Sequence, residues 1–332
     1  MRYEDVSLHN VADVREYDGG VRLQRVPEDV RERLNDGARR RMLHPAGVEI
    51  RFVPEGPVEV TLSVTGRESE VRVFWGPFQS RDTARVGNDP RTFEVSQPEK
   101  LDRLRPEVAG RLRFSPEVCR MVLPGEHRGS PVVLHDVDGE VRPPEPAERP
   151  DRRYLAYGTS ITEGEAPSAE HLTYAARTAR RLDADLINLG SCGSAYCDPA
   201  MAEHVAARED WDVASLALSV NMVGTFGVEE FRERAGNMIE TIAEAHPAAP
   251  VAAITLYPYA DDLLVDGDRE LADTFRETLA AVVADAPENV HLIEGPNVLA
   301  EVGGLTTDLV HPGDDGMIEM GERLATRLAA LL

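Results

Sequence analysis

Lysine is almost missing from this chain. Among 36 basic residues in 332, Lys100 is the only lysine, and 59 acidic residues bring the net charge to −23. No basic stripe is present, so nucleic acid is not an expected partner. Long apolar runs are missing too. None approaches the roughly 20 residues that would span a membrane, so no membrane partner is expected. The opening residues, Met1-Arg2-Tyr3-Glu4-Asp5, lack the basic, apolar and small-residue sections of a secretory leader. Cysteine is scarce: Cys119, Cys192 and Cys197 make an odd count that suits a reducing cytoplasm better than a disulfide framework. Cys192 and Cys197 have no second Cys/His pair nearby, so no metal is expected. No glycine-rich phosphate loop occurs, so no cofactor is expected either.

What is present is a core. Hydrophobic residues make up 42% of the chain and fall in periodic blocks, which separates it from a disordered acidic polymer. The acidic residues are spread over loops and helix faces, as in proteins of salt-loving organisms. Molar salt shortens the screening length to about 3 Å and would mute their mutual repulsion. Stability and activity are therefore predicted to fall in dilute buffer; equal activity with and without molar KCl would contradict this.

The two halves of the chain follow different periods. Between about residues 47 and 141, short runs alternate in polarity, as in Val48-Glu49-Ile50-Arg51-Phe52, Val58-Glu59-Val60-Thr61-Leu62-Ser63-Val64 and Val71-Arg72-Val73-Phe74-Trp75. Period two with turn residues between runs predicts an antiparallel β-sandwich over residues 1–141. Residues 142–151, rich in proline, read as a stiff linker because proline cannot join a regular ladder.

From Arg152 to Leu332 the apolar runs Tyr154–Tyr157, Leu186–Leu189, Val213–Val220, Val251–Leu256 and Val290–Ile293 alternate with helical stretches. Phe231, Ala235, Met238, Ile239 and Ile242 recur at steps of three and four, and so do Met317, Met320, Leu324, Leu328 and Leu331. Strand alternating with helix predicts a parallel sheet covered on both faces, with ligands beyond the carboxyl ends of its strands.

Several reactive residue types follow those strands. Gly158-Thr159-Ser160 ends the first, Asn188-Leu189-Gly190-Ser191-Cys192-Gly193 the second, Ser219-Val220-Asn221-Met222 the third, and Asp308-Leu309-Val310-His311-Pro312 follows the fifth. Taken singly, Ser160 is a helix N-cap, Gly193 a turn residue and Asn221 an Asx-turn residue. Gathered at one sheet edge they supply a nucleophile, an imidazole base and a carboxylate to orient it. The Ser160 N–H, the N–H of Gly190 or Gly193 and the Asn221 carboxamide are candidate donors to an oxyanion. Tyr196, Met222, Phe226 and Tyr257 are expected around the cleft, partly as packing. Asp261, Asp262, Asp266 and Asp268 resemble hard-cation ligands in type, yet in so acidic a chain they read as a solvated loop.

In these blocks residues 152–331 resemble the SGNH (GDSL-like) hydrolases, named for a Ser, Gly, Asn and His in four sequence blocks. Thr159 stands where the first block usually has Asp, and Ser219 and Met222 where Gly and Asp commonly flank the third-block Asn. The resemblance implies a flavodoxin-like three-layer α/β/α domain and a triad of Ser160, His311 and Asp308. It also implies an oxyanion hole of Ser160, Gly193 and Asn221, with Gly193 matched by its position in the second block and Gly190 as the fallback. A β-sandwich ahead of such a domain is similar to carbohydrate esterases of the family and to acyltransferases of natural-product pathways; the sandwich is expected to be jelly-roll-like. A serine esterase is the expected function, with a small ester or an acylated carbohydrate as substrate. An acyltransferase with the same triad and a non-catalytic carbohydrate-binding protein are the alternatives.

Overall fold

The computed structural model of the protein describes residues 1–125 and 129–332. The chain divides into two compact units, Met1–Glu28 with Met42–Asp151, and Asp29–Arg41 with Arg152–Leu332.

The first unit is built from two antiparallel sheets. One runs Arg2–Tyr3, Val6–His9, Glu49–Pro54, Cys119–Val122, Ser69–Trp75, Phe78–Val86, with Val141–Arg142 paired to Glu49–Pro54. The other runs Asp13–Tyr17, Gly20–Gln24, Val132–Asp138, Val58–Val64, Arg91–Val95. Alternation sets the faces: Val58, Val60 and Leu62 are buried while Glu59 is exposed. These residues share a core with Ile50, Phe52, Val71, Val73, Trp75 and Met121 of the opposite sheet. The first strands arise within residues 2–24, ahead of the clearest alternation. The proline-rich stretch also belongs to this unit. Arg142 pairs with Val53 and closes a two-pronged contact on Glu148, at 2.7 and 2.8 Å, around a turn at Pro146–Glu148.

The second unit carries a parallel sheet in the order Ala184–Asn188, Arg152–Gly158, Val213–Ala217, Val251–Ile254, Val290–Ile293. This is the doubly wound order 2-1-3-4-5, with its switch point between the first and third strands. The strands read as continuous apolar runs because both faces are covered. Tyr154, Ala156, Leu186 and Ile254 pack under helices Tyr174–Arg181 and Asp314–Ala329, which contribute Ala175, Ala179, Met317, Met320, Leu324 and Leu328. Alternate residues such as Leu155, Ile187 and Leu216 are buried on the opposite face. Helices Val228–Ala245 and Arg269–Ala284 pack together, with Phe231 stacked on Phe275 at 4.7 Å. Among the described residues no helix is long and apolar enough to cross a membrane. Asp262 pairs with Arg276 at 2.7 Å, Asp261 accepts from Tyr259, and Asp268 caps helix Arg269–Ala284. Three of the four clustered aspartates thus have structural roles.

Candidate active site

Gly158 ends the first strand and the chain turns at once into the short helix Ser160–Glu163. Thr159 is the N-cap: its side chain accepts from the Ile161 N–H. Ser160 is therefore the first helical residue, its hydroxyl free of capping duty and its N–H among those a helix leaves without an internal acceptor. Ser160 is only 4% exposed. Its Oγ lies 2.8 Å from Nε2 of His311.

The Asp308–His311 block folds into a tight turn with Leu309 at φ 56°. Thr306 N–H donates to the His311 carbonyl, closing the loop. One oxygen of Asp308 accepts from Thr306 Oγ, Val310 N–H and His311 N–H, each at 2.9 Å. The other oxygen lies 2.7 Å from Nδ1 of His311. A carboxylate only accepts, so the Nδ1 proton points to Asp308, and Nε2 is left with a lone pair toward Ser160. Burial pushes the Asp308 carboxyl up. The N–H of His311, its ring, the Val310 N–H and the Thr306 hydroxyl outweigh that and hold it well below the usual carboxylate range.

The loop after the second strand is tied to its surroundings at several points. Asn188 donates to the Thr162 carbonyl and accepts from the Gly190 N–H, at 2.9 and 2.8 Å. A Cβ on Gly190 would meet the Glu163 backbone nitrogen at 2.3 Å, so only glycine lets this loop lie against the Ser160 helix. With its N–H engaged by Asn188, Gly190 is not an available oxyanion donor. Gly193 differs: it is exposed, sits at φ 64°, and a Cβ there would meet nothing within 4 Å. Its glycine requirement is conformational rather than steric. Glu163 accepts from the Cys192 N–H at 2.6 Å, which joins the Ser160 helix to the residue beside Gly193.

Asn221 follows the third strand and accepts from the Ala195 N–H through Oδ1 at 3.2 Å. That contact assigns the carboxamide: the oxygen faces the second loop and the NH2 group is left for another acceptor. Two residues earlier Ser219 adopts φ 110°, a region natural to glycine, and its buried Oγ has no hydrogen-bond partner among the described residues. Such a backbone costs about 1–3 kcal/mol, which accounts physically for glycine being common here. Tyr196 and Phe226 meet edge to face at 5.2 Å, with Arg234 over the Phe226 ring, and both are half-buried. Met222 and Tyr257 are buried and belong to the packing.

Hydrogen bonds thus join Ser160, His311 and Asp308 in one line. The Gly193 loop is connected to the Ser160 helix through Glu163 and to Asn221 through Ala195. Motif reading missed Glu163, Asn188 and the segment Asp29–Arg41. Glu163 and Asn188 lie within a few residues of Ser160 and Gly190, and that adjacency was the available signal. Asp29–Arg41 gave no such signal.

The profile of the GDSL-like Lipase/Acylhydrolase family matches residues 151–329. No curated protein matches the chain in sequence. Among solved structures, the salicylyl-acyltransferase SsfX3 from a tetracycline biosynthetic pathway is similar at a TM-score of 0.80 and 18% identity, over 99% of this chain and 95% of that one. A family two carbohydrate esterase from Cellvibrio japonicus matches at 0.61 and 14%, over 98% and 95% of the two chains. A family two carbohydrate esterase from Clostridium thermocellum, in complex with cellohexaose, matches at 0.58 and 18%, over 86% and 93%. At these identities the structural likenesses concern the fold, and the family profile, which covers more than half of the chain, carries the assignment. The chain belongs to the GDSL-like lipase/acylhydrolase family, enzymes that act on ester bonds.

Proposed function

We propose that the protein is a serine esterase that cleaves an oxygen ester through an acyl-enzyme on Ser160. The observation that carries the reading is the unbroken line Ser160 Oγ, His311 Nε2, His311 Nδ1, Asp308 Oδ2, with contacts of 2.8 and 2.7 Å at its two ends. Ser160 Oγ attacks the carbonyl carbon as its proton passes to Nε2. The charge on the carbonyl oxygen is met by the Ser160 N–H, the Gly193 N–H and the Asn221 NH2, each worth about 3–4 kcal/mol in the barrier. The intermediate collapses, the C–O bond to the leaving alcohol breaks, and His311 returns the proton to that oxygen. Water then repeats the sequence on the acyl-enzyme and releases the acid. Asp308 stays ionised throughout and supports the imidazolium.

The carbohydrate esterases that share the fold support a short acyl group on a sugar as the substrate class. The match to SsfX3 along both units favours a second reading, in which an alcohol or sugar hydroxyl replaces water in the second half-reaction. One experiment addresses both. The protein is treated with a fluorophosphonate, and the labelled peptide is identified. The protein is separately incubated with 4-nitrophenyl acetate, alone and with added sugars. Labelling at Ser160 and release of acetate support the esterase, whereas accumulation of acetylated sugar at the expense of acetate supports transfer. Absence of labelling would overturn both and favour a non-catalytic binding protein.

A further inference from the structure

The segment Asp29–Arg41 precedes most of the sandwich in the chain yet packs with the second unit. Its contacts converge on one loop. Asn35 donates to the Ser194 carbonyl at 3.0 Å and to Asp198 at 2.7 Å, while its oxygen accepts from the N–H groups of Gly37 and Ala38. Gly37 lies so close to Ser194 that a Cβ there would come within 2.5 Å of the Ser194 Cβ. At the end of the segment, Arg41 Nη1 lies 3.4 Å from the carboxylate of Glu163, and Arg41 Nε donates to the Cys192 carbonyl at 3.4 Å. The two side chains are 11% and 2% exposed. Glu163 in turn accepts from the Cys192 N–H.

The Cys192 carbonyl and the Gly193 N–H belong to the same peptide. The chain has no cis peptide among its described residues, so this carbonyl and this N–H point in opposite directions. A group that fixes the carbonyl therefore fixes the N–H. Arg41 holds the carbonyl from one side, with the Ser194 hydroxyl at 3.1 Å as a second donor. Glu163 holds the preceding N–H, so the residue before Gly193 is fixed at both its amide and its carbonyl. Gly193 itself, at φ 64° without a Cβ, supplies little rotational resistance of its own. A buried ion pair is a costly way to add stability, since apolar residues of like volume often serve as well. Hydrogen bonds from both partners to the backbone of one residue indicate a different use.

We propose that Arg41, with Glu163, is a positioning residue that aims the Gly193 N–H at the developing oxyanion. This rests on the acyl-transfer reading of the site. The N-terminal part of the chain thereby contributes to the chemistry of a domain matched by family only from residue 151 onward.

The test uses Arg41→Met and Arg41→Lys in the full chain. Folded active sites are counted by end-point titration with a fluorophosphonate, and turnover of 4-nitrophenyl acetate is expressed per titrated site. R41M is expected to lower kcat on the order of 10- to 100-fold with KM within about twofold, because an oxyanion donor acts mainly in the transition state. Inhibition by phenylboronic acid, whose serine adduct is tetrahedral and anionic, should weaken by a similar factor. R41K keeps the charge beside Glu163 but has no second, fixed donor for the carbonyl, and should fall between R41M and the parent. Parental kcat per titrated site in whichever of the two variants folds overturns the proposal, and a loss confined to melting temperature and site count does the same. Ser160→Ala separates this outcome from failure of the underlying reading: if that variant still hydrolyses the ester, the acyl-transfer reading has failed, not the role of Arg41 alone.

Discussion

Ser160→Ala is expected to lower kcat/KM for 4-nitrophenyl acetate by about 10⁴-fold or more, with little change in melting temperature. The Ser160 hydroxyl touches Nε2 of His311 and has no capping duty, since Thr159 caps the helix. On the esterase reading its loss therefore removes the covalent route while the helix cap stays in place. Asp308→Asn provides the graded control. One carboxylate oxygen holds three donors of the turn, and a carboxamide oxygen would keep those contacts. Its NH2 would then face Nδ1, shift the ring proton to Nε2 and leave nothing to accept the Ser160 proton. The expected loss is about 10³-fold, less than the full tautomer effect because the Asp308 side chain is 52% exposed and water competes. Initial rates on both variants, normalised to folded protein, check the order. A serine variant as active as its parent would end the esterase reading.

The fold class was legible because the two halves of the chain differ in pattern: short alternating runs before residue 141, continuous apolar runs separated by helical repeats after residue 152. Val58–Val64 alternates, and Val213–Ala217 does not. The first says one face is wet, the second that neither is. Strand ends were blurred where buried loops are themselves apolar, so the run Val213–Val220 stops as a strand at Ala217. The proximity of Ser160, Asp308 and His311 could be read because two of them lie within one four-residue block and the strand order brings the third to the same edge. Block position already ranked Gly193 ahead of Gly190, and the structure adds the physical reason: the Asn188 side chain occupies the Gly190 N–H.

Other features had no sequence signal. Arg41 meets Glu163 and Cys192 across more than a hundred residues of intervening chain, and a lone arginine among 36 basic residues has nothing to single it out. Proline content marked residues 142–151 as a break, but proline reports only on ladder hydrogen bonds. It says nothing of Arg142 holding Glu148, or of Asp29–Arg41 leaving the first unit for the second. Met222 and Tyr257 could be placed on the cleft-side loops but not facing inward or outward, because loops lack a period.

Glu49→Gln is expected to destabilise the sandwich by about 3–5 kcal/mol. Glu49 and Arg51 lie two apart on one strand and so share a face, and Arg120 is the register partner of Arg51 on the next strand. The Glu49 carboxylate accepts from Arg51 Nε at 2.7 Å, from Arg120 Nε at 2.7 Å and from Arg120 Nη2. Phe114, buried, lies under both guanidinium groups, at 4.1 Å from Arg120 and 4.9 Å from Arg51. Burial alone would push the carboxyl up; Arg120 and Arg51 outweigh it and hold Glu49 well below the usual range. A glutamine leaves two buried cations facing a neutral amide. The folded state binds its proton less readily than the unfolded chain, so the contribution of Glu49 is complete above the ordinary glutamate range, about pH 4.3, and is lost as pH falls below it. The gap between parent and variant should therefore narrow in acid. Urea unfolding measures it without adding salt, and in a Trp211→Phe background Trp75 is the remaining tryptophan, buried in the sandwich core. Replacing Glu49, Arg51 and Arg120 together by apolar residues of similar volume should recover most of the loss, because no charge is then left unpaired. A gap under about 1 kcal/mol at neutral pH, or one that does not change between pH 7 and pH 3, would show that the three charges are solvated and that the sandwich is held by its apolar core alone.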